Sequence, residues 1–212
     1  VLVDMPRINY DANGENGALL LEPSRVQKTE LSEYFDGWNR VNTGVSVLNA
    51  NAYTSPEGVG NAYKLTFTAS GASSQIYKVL NGFTIGTKYT QSLYVKYISG
   101  SGENFQILKS FGTAGVRCTF TNDGADLSVI AVGGTQENDF GKEVMGNGWF
   151  RIYFAYASNT TNWEINISRN SGAGSDVYAI YGHQIEEGSY VSSYIPNHSG
   201  TGGVTRAADS CS

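Results

Sequence analysis

Apolar and polar residues alternate with a period of two along much of the chain. In "NAYKLTFTAS", Tyr63, Leu65 and Phe67 share one face while Lys64, Thr66 and Thr68 take the other, the pattern of a strand buried on one side. "TQSLYVKYI" repeats it, with Leu93, Val95 and Tyr97 opposite Tyr94 and Lys96, as does "GWFRIYFAYA" with Phe150, Ile152 and Phe154. Shorter runs of the same kind are "SQIYKVL", "NFQILKSF", "GVRCTFT", "DLSVIAV", "NWEINIS" and "DVYAIYGHQIE". Between them lie "SGSGE", "NDGAD", "GGTQEND", "MGNG" and "NSGAGSD", whose Gly, Asn and Asp supply the positive φ angles and side-chain turns that hairpins need. About a dozen strands at this spacing predict an all-β fold, a two-sheet antiparallel β-sandwich.

One short helix is predicted at "LSEYFDGW": Ser32 is placed to cap it, Leu31 and Phe35 are four apart, and Gly37 ends it. At 212 residues the chain is long enough for one well-buried core. The reading assigns one sandwich domain to residues 1–196 and a polar C-terminal tail or boundary segment to 197–212, "NHSGTGGVTRAADSCS".

Composition narrows the function classes. With 26 Gly, 14 Tyr and only 16% charged residues, strands and turns are favoured over long surface helices. A net charge of -5 argues against nucleic acid, which demands clustered Lys and Arg. No apolar run approaches the roughly 20 residues of a membrane span, so no membrane insertion is expected. The opening "VLVDMPRINY" lacks the features of a signal peptide and reads as a piece of a longer polypeptide. Cys118 and Cys211 form no visible disulfide framework and are taken as reduced.

The stretch "GHQIEEGSYVSSYIP" at 182–196 sets one of two histidines beside adjacent glutamates. Strand neighbours point to opposite faces, so Glu186 and Glu187 cannot flank one glycosidic bond. A hydrolase pair needs its carboxyls about 5 Å apart, or roughly 6.5–9.5 Å, around the same bond. His183 and His198 show no metal or triad spacing. The segment therefore reads as architecture, with Ile185 inward, Gly188 ending the strand, and Tyr190, Tyr194 and Ile195 pinning the exiting chain.

Taken in order, "PRINYD", "GALLLEPSRVQ", "SEYFDGWNRVNTGVSV", "TSPEG", "YTQSLYVKY", "NGWFRIYF", "QIEEGSYVSSYIP" and "VTRAAD" resemble a family of concanavalin A-like or carbohydrate-binding-module-like jelly rolls found in phage tail fibres and other virion proteins. The resemblance spans nearly the whole chain and is most specific at its two ends. It implies a jelly-roll sandwich, a virion (tail or fibre) or extracellular-surface setting, and recognition of surface glycans.

Glycan recognition needs an aromatic face for the sugar's C–H surface, and amides, carboxylates and guanidinium groups for its hydroxyls. An aromatic in a sandwich is more often core than platform, and Trp38 and Trp149, inside the family-like segments, are assigned to structure. Trp163 follows the polar "SNTTN" and lies outside those segments, which makes it the first candidate for a sugar-stacking platform. On the middle strands the further candidates are Tyr77, Asn104, Gln106, Lys109, Arg117, Glu164 and Asn166. If Ile107 and Ile165 face the core, then Gln106, Glu164 and Asn166 face outward. Arg117 stands out because a guanidinium can bond vicinal hydroxyls, a sulfate or a carboxylate in bidentate fashion.

Jelly-roll sugar modules of the kind this chain resembles often carry a structural calcium, which Asp4, Asp11, Glu22 or Asp209 could ligate with backbone carbonyls, but no segment follows an EF-hand pattern. No metal and no cofactor are expected, and there is no P-loop. The leading expectation is a non-enzymatic module that binds polysaccharide, with a structural virion module making protein or trimer contacts as the alternative. A polysaccharide hydrolase or lyase on a related sandwich ranks last. Expected partners are a polysaccharide or surface glycan and, through self-association or assembly, a larger fibre protein.

Overall fold

The computed structural model describes residues 7–9, 18–41, 45–68, 74–102, 104–109, 114–121, 124–131, 139–169 and 175–209. In chain order its strands are β1 (Arg7–Asn9), β2 (Ala18–Leu20), β3 (Arg25–Gln27), β4 (Asn39–Val41), β5 (Val45–Tyr53), β6 (Ala62–Phe67), β7 (Ser74–Asn81) and β8 (Lys88–Ser99). They continue as β9 (Phe105–Lys109), β10 (Ala114–Thr121), β11 (Gly124–Ala131), β12 (Phe140–Gly146), β13 (Trp149–Ala157), β14 (Asn162–Arg169), β15 (Asp176–Glu187) and β16 (Val204–Arg206).

Two six-stranded sheets form, in the orders β11-β10-β9-β14-β7-β4 and β12-β13-β8-β15-β6-β5. Every pairing is antiparallel, and the chain passes repeatedly from one sheet to the other. This is the predicted all-β jelly-roll sandwich, and the alternating segments become its strands because each has one apolar face to bury. Ile76, Ile107, Val116, Ile165 and Ile167 of the first sheet meet Leu65, Leu93, Val95, Ile152 and Ile180 of the second. Aromatic rings fill the ends of this layer. A second, smaller cluster of Tyr94, Trp149, Ala179 and Tyr181 lies on the far face of the second sheet, with Tyr53, Ile98 and Tyr194 against it.

A buried ion pair ties the end of β14 to the start of β15, interior strands of the two sheets. Arg169 Nη1 lies 2.6 Å from Asp176 Oδ2, both side chains being 1% exposed. Asp176 also accepts from the Ser101 and Gly102 amides at 2.5 and 3.2 Å. Gly100 (φ 119°) sits so close to Asp176 that a Cβ would collide with it, so this turn requires glycine.

The helix predicted at 31–38 does not form. Residues 30–33 make a turn in which Leu31 takes φ 50°, and only Phe35–Gly37 winds, as a single 3-10 turn. The predicted cap, Ser32, is engaged elsewhere: its hydroxyl accepts from the Asn197 amide at 2.9 Å and meets Tyr194 Oη at 2.6 Å. A hydroxyl committed to a distant strand connection cannot satisfy a helix N-terminus.

The 197–212 segment is not a loose tail over its described part. Asn197 is fully buried, β16 pairs antiparallel with β3, and Asp209 N donates to Glu22 O at 3.0 Å. The boundary expected at 196 thus runs through a packed region. Cys118 lies in the core, where burial pushes its thiol up to about 12; Cys211 falls outside the described residues.

Candidate functional site

The 182–196 stretch is architectural. Glu186 is buried on β15 while its neighbour Glu187 is exposed. The Glu186 carboxylate accepts from Ser192 N at 2.7 Å, Ser192 Oγ at 2.5 Å and Gln184 Nε2 at 2.8 Å, with Arg25 Nε at 3.5 Å. Gln184 Oε1 accepts in turn from Ile195 N at 2.8 Å. His183 is fully buried between Thr29 Oγ1 at Nδ1 (2.9 Å) and the Gln91 amide at Nε2 (3.0 Å). Burial, helped by the Lys78 charge, lowers its pKa to about 3, so it is neutral and internally bonded. Gly188 (φ 134°) follows the last residue of β15 and Ile195 is buried, whereas Tyr190 is half-exposed and stacks under Arg25 at 4.9 Å.

Two sequence candidates belong to the core. Trp163 is 0% exposed; its ring stacks on Phe83 at 4.5 Å and 7°, meets Tyr89 edge-on, and donates its indole N–H to Ser158 Oγ at 2.7 Å. It cannot offer a face to sugar. Lys109 is also inward and buried, its ammonium 2.5 Å from Asn159 Oδ1 and held over the rings of Tyr156 and Trp163 at 5.0 and 5.7 Å. Burial lowers its pKa.

Five of the remaining candidates share the outer face of the first sheet. Register places Ser128, Arg117, Gln106, Ser168 and Gln75 in one row across β11, β10, β9, β14 and β7. The next row holds Leu108, Asn166, Tyr77 and Asn39, and the one after it Glu164 and Val79. Asn104, just before β9, is half-buried with φ 58°. Sequence reasoning missed Gln75 and Ser168, although both share the parity of residues it did name.

The face has a buried polar floor and a half-exposed rim. Gln75, Gln106, Asn166 and Ser168 are each less than a twentieth exposed, while Tyr77, Arg117 and Glu164 are half-buried. With its amide oxygen toward Arg117, Gln106 accepts from Nη2 at 2.9 Å and Nε at 2.8 Å, which fixes the guanidinium across the row. Asn166 Nδ2 donates to Glu164 O at 3.1 Å. Three buried side-chain atoms here have no hydrogen-bond partner: Gln75 Nε2, Asn166 Oδ1 and Glu164 Oε1. Burial raises the Glu164 carboxyl pKa, with the Asn166 amide pulling it down. Such a surface can donate to and accept from a set of hydroxyls at several adjacent points.

Among the described residues no group of three or more His, Cys, Asp and Glu is arranged to hold a metal. Of the acids weighed for calcium, Glu22 is 3.0 Å from Arg206 Nη1 and its carboxylate accepts from Ser193 N at 2.6 Å. Asp209 Oδ2 accepts from Glu22 N at 3.0 Å. Asp4 and Asp11 lie outside the described residues. No helix among those residues is long and apolar enough to cross a membrane.

Fold and face together define the class: an antiparallel jelly-roll β-sandwich with a polar sheet face. No protein-family model matches the chain, and no curated protein matches it. Among solved structures it is similar to the enzymatically active domain of tailspike protein 4 of bacteriophage CBA120, at 15% identity and TM-score 0.46. That match covers 76% of this chain and 21% of the other, so the chain spans about a fifth of its length. It is also similar to TmCBM61, solved in complex with β-1,4-galactotriose, at 14% identity and TM-score 0.38, covering 73% of this chain and 90% of that one. A third is the Clostridium thermocellum xylanase 10B CBM22-1-GH10 modules complexed with xylohexaose, at 16% and 0.42, covering 83% and 30%. Carbohydrate-binding modules are thus among the neighbours of this fold; at these scores the likenesses assign no role to any residue.

Proposed function

We propose that this chain is a non-catalytic carbohydrate-binding module of a phage tail or fibre, or of a related surface protein, and that it recognises bacterial surface or environmental polysaccharide on the outer face of the first sheet. The observation that carries this reading is the set of unpartnered buried atoms, Gln75 Nε2, Asn166 Oδ1 and Glu164 Oε1, one on each of three successive outward-facing rows of β7 and β14. A buried polar atom left unbonded costs about 1–3 kcal/mol, and a sugar hydroxyl satisfies it. Arg117 and Tyr77 supply a charged fork and a ring at the rim. Binding per module is weak and gains strength from repetition in an assembly.

The same face supports a binding role over a hydrolytic one. The other described acid there is Asp126, on β11 opposite Thr119, three strands from Glu164. At the usual strand spacing that is about 14 Å, beyond both hydrolase geometries. One observation favours the structural alternative: β12 is an edge strand with Phe140, Val144 and Met145 exposed at 41, 73 and 40%, an apolar edge suited to a protein partner.

A glycan array of the purified chain, displayed multivalently and run with calcium and with chelator, tests the reading. Selective binding that Asn166→Ala abolishes supports it. A blank array with working controls transfers the role to the β12 edge.

A further inference from the structure

The far face of the second sheet carries a separate feature that the polar row does not explain. An open hollow of about 370 Å³ lies between residues 54–58 and the β12–β13 turn, lined by Ser55, Pro56, Lys96, Met145, Asn147 and Trp149 among others. That volume falls at the lower end of the roughly 300–1,000 Å³ of small-ligand sites.

Two polar groups in the hollow are uncommitted. Ser55 is 4% exposed and its Oγ, buried, has no hydrogen-bond partner; its backbone is fixed by the Val59 and Gly58 turn bonds at 2.7 and 3.0 Å. Lys96 is half-buried, its stem running under Gly148, and it makes no ion pair among the described residues. The nearby acids are engaged elsewhere: Glu57 Oε2 accepts from Tyr181 Oη at 2.7 Å, and Glu143 lies 3.7 Å from Arg151. The Trp149 indole N–H donates to Thr54 O at 3.2 Å, so one wall of the hollow is tied to the other.

Register extends the feature along the sheet. Trp149 pairs with Lys96, Lys96 with Ala179, and Ala179 with Lys64. Lys64 is also half-buried, and it stands two strands from Lys96, about 10 Å away. A single ammonium beside a hydroxyl and apolar walls matches the one charge of a carboxylate on a ring; a phosphate dianion is better matched where several donors converge on one point. A second ammonium two strands along the row fits a chain that repeats its negative charge.

From this geometry we infer that the hollow is a second binding site, for a carboxylate-bearing saccharide chain, with Lys96 facing the carboxylate, Ser55 Oγ a ring hydroxyl, and Met145 and Pro56 the apolar surface. It is independent of the first-sheet row.

The test is an NMR titration of the full ¹⁵N-labelled chain with galacturonate trisaccharide, with neutral galactotriose and with acetate. The acidic trisaccharide is expected to move the Trp149 indole resonance and the Ser55 and Asn147 amides, and the neutral one to leave them still. Lys96→Met is expected to weaken the response about tenfold, Ser55→Ala less, and added salt to weaken it further. Lys96→Gln, which keeps a polar stem, guards against a folding defect in Lys96→Met. Silence at Trp149, equal shifts with galactotriose or acetate, or an undiminished response in a folded Lys96 variant would overturn the inference. Shifts confined to the Asn166 and Gln75 side-chain amides would overturn it while supporting the first-sheet reading; shifts confined to Trp149 would do the reverse.

Discussion

Two buried polar regions of this sandwich differ in one respect. Around β15, Gln27 Oε1 accepts from the Thr29 and Ile185 amides and its Nε2 donates to His183 O, while Glu186 and Gln184 bond the returning 192–195 segment. Most polar atoms of that region are bonded: Gln91 Oε1 and Arg151 Nε have no hydrogen bond, while Arg25 Nε lies 3.5 Å from the Glu186 carboxylate. On the first sheet, three successive outward-facing rungs of the adjacent β7 and β14 leave one orphan each, at Gln75, Asn166 and Glu164. Saturated polarity ties chain to chain; unsaturated polarity is capacity held for something else.

Substitutions should separate the two. Glu186→Ala strands the Ser192 amide and the Arg25 charge and is expected to cost about 3–5 kcal/mol in denaturant unfolding. Trp163→Ala, which empties the aromatic stack under Lys109, should cost a similar 3–5 kcal/mol. Glycan affinity per folded molecule should be kept in Glu186→Ala. If either variant unfolds at the wild-type denaturant midpoint, the contrast fails.

The pH dependence should carry opposite signs. The folded-state pKa of His183, about 3, lies below its ordinary 6.5, so the unfolded chain takes up a proton that the folded one refuses. Stability therefore falls on acidification from pH 6.5 toward 3, by about 1.4 kcal/mol per pH unit. Comparing His183→Leu with wild type between pH 6.5 and about 5, above the ordinary carboxylate range, isolates it; parallel curves would contradict the neutral, buried imidazole. In the polar row, Asn166→Ala and Glu164→Ala should each lower polysaccharide affinity about tenfold while shifting stability by less than about 1 kcal/mol. The smallest effect is Glu164's own titration. Its folded pKa is raised above the ordinary 4.5, so its burial penalty is present at higher pH and disappears as pH falls through the raised value. Glu164→Gln should remove that slope from the wild-type stability curve.

The strands and the direction of the row were legible because period two is a local signal: Gln106, Glu164 and Asn166 lie opposite Ile107 and Ile165, as their alternation requires. The same rule, carried two residues further, puts Trp163 inward with Ile165, and Lys109 inward with Ile107. The polar "SNTTN" ahead of Trp163 masks that parity, and Phe83, Tyr156 and Asn159, which receive these side chains, are distant or on other elements. The absent helix at 31–38 and the ordered 197–209 segment depend on partners more than 150 residues away, such as Ser32 with Asn197 and Glu22 with Asp209. No local pattern encodes such a meeting.

The β3–β16 ladder has a mechanical consequence. Arg25 pairs with Arg206 and Gln27 with Val204, so both flanking stretches of backbone leave the ladder from its Arg25–Arg206 end. Tension passed along the polypeptide would first break the Glu22–Asp209 bonds and then peel this short clasp rung by rung, as a zipper opens, before any of the twelve long-range strands of the two sheets felt shear. In a chain under load the clasp yields first, lengthening the tether while the sandwich keeps its shape.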